Sequence, residues 1–256
     1  MFFGRKLEMD ELQRLLEKPR ASLVICRGRR RIGKSTLIRE FARHVSTFLT
    51  FEGLAPRRKM SNQHQLAAFG EQLAIQTDLP RINPESWPQA FQLMSSTIRN
   101  DSTVVLFDEI SWMGGYDADF PGHLKTAWDS LSAQHPNVIL ILCGSVSAWI
   151  NDNILNNTGF VGRHSWDMVL EELPLFHCDR FWGKNADRIS AAEKLKVLSV
   201  TGGVPKYLEE IDPTISAEEN LKRLCFLREG ILFREFDQIF SDIFVPKSKL
   251  LNPPAQ

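Results

Sequence analysis

Five short apolar runs punctuate the first two thirds of the chain. They are Ser22–Cys26 (SLVIC), Phe48–Phe51 (FLTF), Thr103–Phe107 (TVVLF), Val138–Cys143 (VILILC) and a weaker Asp167–Leu170 (DMVL). Most are continuous in Val, Ile and Leu rather than alternating with polar residues, the pattern of strands buried on both faces. Between them apolar residues recur at helical spacing: Leu37, Ile38, Phe41 and Val45 in one segment, and Leu124, Trp128 and Leu131 in another. This alternation predicts a three-layer α/β fold, a parallel sheet covered by helices on both sides.

After about Leu173 the pattern turns wholly helical. Ser190-Ala-Ala-Glu193 and Ser216-Ala-Glu-Glu219 are capping-box sequences that open helices. The first of these helices runs toward the stop signal Gly202-Gly203-Val204-Pro205 and the second to Gly230. A third follows, with Ile231, Phe233, Phe236 and Phe240 as its apolar positions. The expected organisation is an α/β domain over residues 1–183, a small helical lobe over 184–245, and a Pro-rich tail over 246–256.

The turn after the first run carries Gly28-Arg29-Arg30-Arg31-Ile32-Gly33-Lys34-Ser35-Thr36, a match to GxxxxGK[ST] between a predicted strand and a helix beginning at Lys34. The bare pattern arises by chance in roughly one chain in a hundred of this length, and the strand and helix around it lower that further. The glycines let the backbone curl so that successive N–H groups point at phosphates, with the helix N-terminus adding partial positive charge. Lys34 is the residue to reach the β- and γ-phosphates, and the Ser35 hydroxyl the one to ligate Mg²⁺. Arg29, Arg30 and Arg31 occupy the variable positions, where the backbone binds and side chains point away. A basic patch for nucleic acid is the competing reading of the same three arginines.

The third run ends in Asp108-Glu109, at the carboxyl end of a strand, the edge where open α/β sheets hold ligands. Asp108 is placed to hold Mg²⁺ and Glu109 to activate the attacking water, the roles that favour a hydrolase over a kinase. The fourth run ends in Cys143-Gly144-Ser145; Ser145 is the candidate γ-phosphate sensor and Ser147 the runner-up, against a plain turn. Arg163, after an Asn- and Gly-rich stretch, is a candidate arginine finger in cis or from a neighbouring subunit, or else a solvated loop residue.

Composition narrows the partners. Lys plus Arg and Asp plus Glu number 31 each, so a neutral chain exerts no global pull on nucleic acid or anionic membrane. The four cysteines, Cys26, Cys143, Cys178 and Cys225, form no CxxC pair and read as buried thiols in a reducing compartment. No signal-peptide pattern opens the chain, and the longest apolar run is far too short to span a bilayer. A cytoplasmic location follows as the expectation. The six histidines show no ligand spacing, so no zinc site is expected. Trp112, Trp128 and Trp149 read as core or interface aromatics. Arg57-Arg58-Lys59 is the best local nucleic-acid candidate, against a solvated loop.

The segments FFGRKLEMDELQRLL, RGRRRIGKSTLI, LFDEISWM, LCGSVSAWI and TGGVPKYLEEI, in this order, resemble the prokaryotic archaeal-type ATPases, within the AAA-like and STAND group of P-loop NTPases. The resemblance runs from Phe3 to about Phe244. It implies a five-stranded sheet in the order 5-1-4-3-2, ATP with Mg²⁺, and a helical lid after the sheet. It places Arg5, in the opening motif Phe3-Gly4-Arg5 with Glu8, near the adenine, and Pro205 of Gly203-Val204-Pro205 against the base. From the residues alone, Arg5 is equally a solvated N-terminal charge and Pro205 a helix breaker. The resemblance also implies a winged-helix segment and a C-terminal domain starting where FVPKSKLLNPPAQ ends the chain, so a truncated product or fragment is the expectation.

Three functions fit these residues: an ATP-hydrolysing enzyme, a switch that holds ATP with little turnover and controls a protein partner or self-association, and a DNA-remodelling ATPase.

Overall fold

A computed structural model describes residues 2–99, 101–145 and 148–235. Five parallel strands form one sheet: β1 (Ser22–Gly28), β2 (Thr47–Glu52), β3 (Thr103–Asp108), β4 (Val138–Gly144) and β5 (Trp166–Leu170). Read from the β5 edge their order is 5-1-4-3-2, with every pairing parallel. In the central strands β3 and β4 each residue is buried, whereas the edge strands β2 and β5 carry partly and fully exposed positions. That is why the central strands read as unbroken apolar runs and the edges as weaker ones.

Alternate residues of the strands feed two cores. Leu23, Ile25, Val105, Phe107, Leu140 and Leu142 face one side and pack with α3 (Asn62–Gln76), α4 (Trp87–Thr97) and α6 (Phe120–Gln134). Val24, Cys26, Val104, Leu106, Ile139, Ile141 and Cys143 face the other and meet α1 (Lys6–Leu16) and α2 (Lys34–Phe41). Phe69, Trp87, Phe91, Phe107 and Phe120 interlock in the first core with ring centroids 4.8–6.0 Å apart. The chain leaves β1 toward β2 on one side and β4 toward β5 on the other. The carboxyl ends of the adjacent strands β1 and β4 therefore form the topological switch point of the sheet.

The edge strand β2 is covered by glutamines rather than by another strand. The amide of Gln76 accepts from Thr50 N and donates to Thr50 O, both at 2.8 Å. Gln72 does the same for Glu52 at 2.7 and 3.1 Å, and Gln65 for Leu54 at 2.9 Å each. Three side chains of α3 thus satisfy the outward N–H and C=O of every second residue, the groups that a sixth strand would pair.

The helical lobe has its own small core of Leu173, Cys178, Trp182, Val197, Leu208, Ile211 and Ala217; the first three of these precede residue 184. Ser190 and Ser216 cap their helices by accepting from the N–H of Glu193 and Glu219, both at 3.2 Å. The Glu193 carboxylate accepts from Ala217 N at 2.8 Å, which joins the two helix starts. Three local expectations shift. Val45 lies beyond the helix, which tightens at Ala42–His44 and ends, although its side chain still packs on that face. The helix opened by Ser216 stops at Phe226 rather than Gly230, because its last turn widens and Leu227 turns extended. In the helix that follows, Ile231 and Leu232 pack inward while Phe233 is exposed. Phe236, Phe240 and the tail lie outside the described residues. Among the described residues no helix is long and apolar enough to cross a membrane.

Candidate functional site

The glycine-framed loop leaves β1 at the switch point and turns directly into α2. Gly33 caps that helix at φ 90° and Arg31 also has positive φ, 66°. These two left-handed residues curl the backbone, a conformation costing about 1 kcal/mol at the non-glycine position. Gly28 is required by close approach: a Cβ there would lie 2.5 Å from the carbonyl of Leu170 on β5. The buried Lys34 ammonium folds over the loop and donates to the carbonyls of Gly28 (3.0 Å) and Arg29 (3.2 Å). Ile32 is buried beneath the loop, and Thr36 is exposed on α2.

Asp108 ends β3, two strands from β1, and its carboxylate turns toward the loop. Ser35 Oγ donates to Asp108 Oδ2 at 2.5 Å, while Asp108 Oδ1 accepts from the Glu109 N–H at 3.0 Å. Glu109 is itself left-handed (φ 50°) and starts the short helix α5, Ile110–Gly114. Its Oε2 is buried without a protein hydrogen-bond partner. Burial pushes the Glu109 carboxyl above its ordinary range against the pull of the Lys34 charge, and the Asp108 charge pushes the same way as burial. Gly53 allows this corner to form, since a Cβ there would meet Glu109 O at 2.7 Å and Met113 N at 2.8 Å.

Ser145 follows β4, which lies between β1 and β3, so it leaves the sheet at the same edge, between the loop and Asp108. Ser147 lies outside the described residues. Beneath, Cys26 and Cys143 are register partners on β1 and β4; their mutual hydrogen bond, with burial, pushes the Cys143 thiol up.

Arg163 is not brought to this edge. It precedes β5, whose first residue pairs with Val24 and whose last pairs with Gly28, and four strand steps span roughly 13 Å. Its guanidinium is bound to Asp129 of α6 at 2.7 and 3.1 Å, a carboxylate that Lys125 also contacts at 2.8 Å. The arginine hydrogen bond, chiefly, holds Asp129 down at about 2. A phosphate contact by Arg163 within the same chain is therefore corrected: it braces α6 at the opposite edge. Arg57, Arg58 and Lys59 are all exposed after β2.

Arg5 is not solvated. It is buried, donates to the carbonyls of Ile32 (3.3 Å) and Glu171 (2.5 Å), and pairs with Glu8 at 3.2 Å. Pro205 begins a short helix, Pro205–Leu208, and stands 3.9 Å from where a Gly33 Cβ would be. The three arginines also have company. Arg29 pairs with Glu172 at 2.6 Å, Arg30 lies 5.8 Å from the Trp112 ring centroid, and Arg31 pairs with Glu235. Glu172 and Glu235 carry no motif, so nothing in the sequence marked them, and Tyr207 lies in TGGVPKYLEEI without being singled out there.

A curled, glycine-framed loop, its lysine, and a serine bonded to a strand-end aspartate beside a second acid are the parts of a P-loop. The model of an ATPase domain predominantly from Archaea matches residues 2–211. The chain belongs to this archaeal-type ATPase family. A 41-residue stretch is 46% identical to an uncharacterized ATP-binding protein of Methanocaldococcus jannaschii, covering 16% of this chain and 70% of that one.

Three solved structures resemble the ATPase domain in fold. The Walker-type ATPase of Pyrococcus abyssi is 16% identical with TM-score 0.61, over 98% of this chain and 75% of that one. The ORC2 protein of Aeropyrum pernix, solved as ADPNP-ADP complexes, is 15% identical with TM-score 0.56, over 96% and 70%. A STAND protein with a tetratricopeptide-repeat sensor from Pyrococcus horikoshii is 16% identical with TM-score 0.52, over 93% of this chain but 32% of that one. The family assignment makes this an ATP-binding P-loop ATPase domain.

Proposed function

We propose that this ATPase domain hydrolyses ATP with Mg²⁺ and passes the change to its helical lobe. The contact between Ser35 and Asp108 carries this reading, because it joins two hard oxygen donors, a hydroxyl and a carboxylate, at the mouth of the phosphate loop. Those two residues would hold Mg²⁺, which supplies neutralisation of charge on the β- and γ-phosphate oxygens. Lys34, now spent on two loop carbonyls, has the reach to exchange them for phosphate oxygens. The loop N–H groups and the start of α2 add fixed positive potential.

Glu109 would take the proton of the attacking water. Its buried Oε2 lacks a protein partner, and a carboxyl raised toward neutrality suits a general base. Ser145, leaving the sheet between loop and acid, would contact the γ-phosphate. Gly28 to Thr36 would wrap the phosphates, with Arg5 and Pro205 acting through the loop rather than on the base. Steady-state phosphate release compared between wild type and Glu109→Gln tests the assignment. A fall of 100-fold or more is expected, on the order of a lost general base, with ATP binding retained; equal rates above background would refute the role of Glu109. Nucleotide that persists through purification with negligible phosphate release would instead favour a switch that holds ATP.

A further inference from the structure

The phosphate loop is gripped from outside at every position from Gly28 to Gly33. Gly28 abuts Leu170 O, Arg29 pairs with Glu172, and Arg30 lies over Trp112. Arg31 pairs with Glu235, Ile32 O accepts from Arg5, and Gly33 faces Pro205. The partners come from β5 and its exit, from α5, from the N-terminal segment and from the lobe.

The grip on Arg31 differs from the others. The Glu172 pair is half exposed on both sides and Gly203 N shares its carboxylate at 2.9 Å, so it contributes little. Glu235 is 5% exposed. A carboxylate that deep needs a counter-charge and a hydrogen bond: Arg31 supplies the charge at Oε1, as an ion pair without hydrogen-bond geometry, and the Tyr207 hydroxyl donates to Oε2. Arg31 is also the loop's own non-glycine residue in left-handed conformation, at φ 66°. Ile231 and Leu232, one turn before Glu235, pack into the core that holds Ile32, Val204 and Tyr207. One buried carboxylate thus joins the strained turn of the loop to Pro205–Leu208 and to residues 231–235.

We infer that Glu235 is a positioning residue for the phosphate loop: through Arg31 it sets the loop's left-handed turn, and through Tyr207 it ties that turn to the lobe. The inference deepens the ATPase reading and rests on it for the ligand. Two consequences follow from its geometry. Removing the carboxylate loosens the loop and weakens nucleotide binding without touching the groups that do the chemistry. By linkage, nucleotide in the loop must also alter the stability of residues 231–235 by the same factor.

Hydrogen exchange on the whole chain, paired with titration of a fluorescent ATP analogue, tests both. Without nucleotide, Arg31→Ala is expected to speed exchange at residues 231–235 and at Tyr207; unchanged exchange there would overturn the strut itself. Saturating ATP analogue is expected to change protection at 231–235 in wild type and not in Glu235→Gln. Glu235→Gln is expected to weaken the analogue about 5- to 30-fold, within the usual range of coupling, raising KM with kcat held. Arg31→Glu with Glu235→Arg should recover part of the affinity that Arg31→Glu alone loses. Wild-type affinity in Glu235→Gln, or no nucleotide effect at 231–235 in a wild type that binds, would overturn the inference. A wild type that binds no nucleotide, with the Arg31→Ala response intact, would count against the ATPase reading and leave the strut standing.

Discussion

Ser35 Oγ and Asp108 Oδ2 lie 2.5 Å apart, although 73 residues separate them. The sheet makes the meeting: β4 alone stands between β1 and β3, and both residues emerge at the carboxyl edge. Asp108→Asn keeps the size of the side chain and removes its charge. Titration of an ATP analogue with and without Mg²⁺ should show the metal-dependent gain in affinity reduced about 10-fold or more, the scale of one charge-assisted contact. Binding without Mg²⁺ should change little.

Lys34 and Arg29 are both cations of one loop, yet they are used differently. Lys34 is buried on the loop's inner side, bonded to Gly28 O and Arg29 O, while Arg29 points outward to Glu172. Lys34→Ala is expected to weaken ATP binding on the order of 100-fold and Arg29→Ala by less than about 3-fold. Isothermal titration of the two variants decides, and equal losses would show that the arginine charge reaches the phosphates.

Burial raises the Glu109 carboxyl above its ordinary value of 4.5, outweighing the Lys34 charge nearby. The folded chain therefore binds that proton more tightly than the unfolded chain does. Its favourable contribution is complete below pH 4.5 and is lost as pH rises through the raised value. Glu109→Gln, which stays neutral, is expected to raise the melting temperature of the nucleotide-free protein at pH 8 and to leave it unchanged at pH 4. A gain at pH 4 that vanished at pH 8 would reverse the sign and refute the environment described for Glu109.

Gln72 and Gln76 stand in for a missing strand along Thr50 and Glu52. Their replacement by Ala would leave the β2 edge open to pairing with another copy. The double variant is expected to lose on the order of 1–3 kcal/mol in urea unfolding. Light scattering after size exclusion should show new self-association, and a monodisperse species of wild-type mass would show that α3 blocks the edge by bulk alone.

Much of the candidate site's placement was legible because it is built locally. A strand, a curled loop and a helix start follow one another in twenty residues, and backbone amides need only glycines at the right places to face a phosphate. The Asp108-Glu109 pair was legible for a related reason, since strand ends of a parallel sheet share one edge. The glutamines of α3 left a trace too: Gln65, Gln72 and Gln76 recur at helical spacing, a stripe whose purpose needs the edge strand beside it. Arg163 shows where this runs out. An arginine after a loop has the same sequence signature whether it meets a phosphate or, as here, Asp129 on the far edge.

The sequence by itself determined the five strands and the glycine-framed loop of this protein, because burial on two faces and loop curvature are set within a few residues. Tertiary structure alone decided what the three arginines meet. Glu172 lies 143 residues from Arg29, and Glu235 reaches Arg31 from the helical residues 231–235 of the lobe. Charge pairing acts through space and leaves no spacing to read, so only the packing of the β5 exit, α5 and the lobe around the loop gives each arginine of an apparent basic patch its partner.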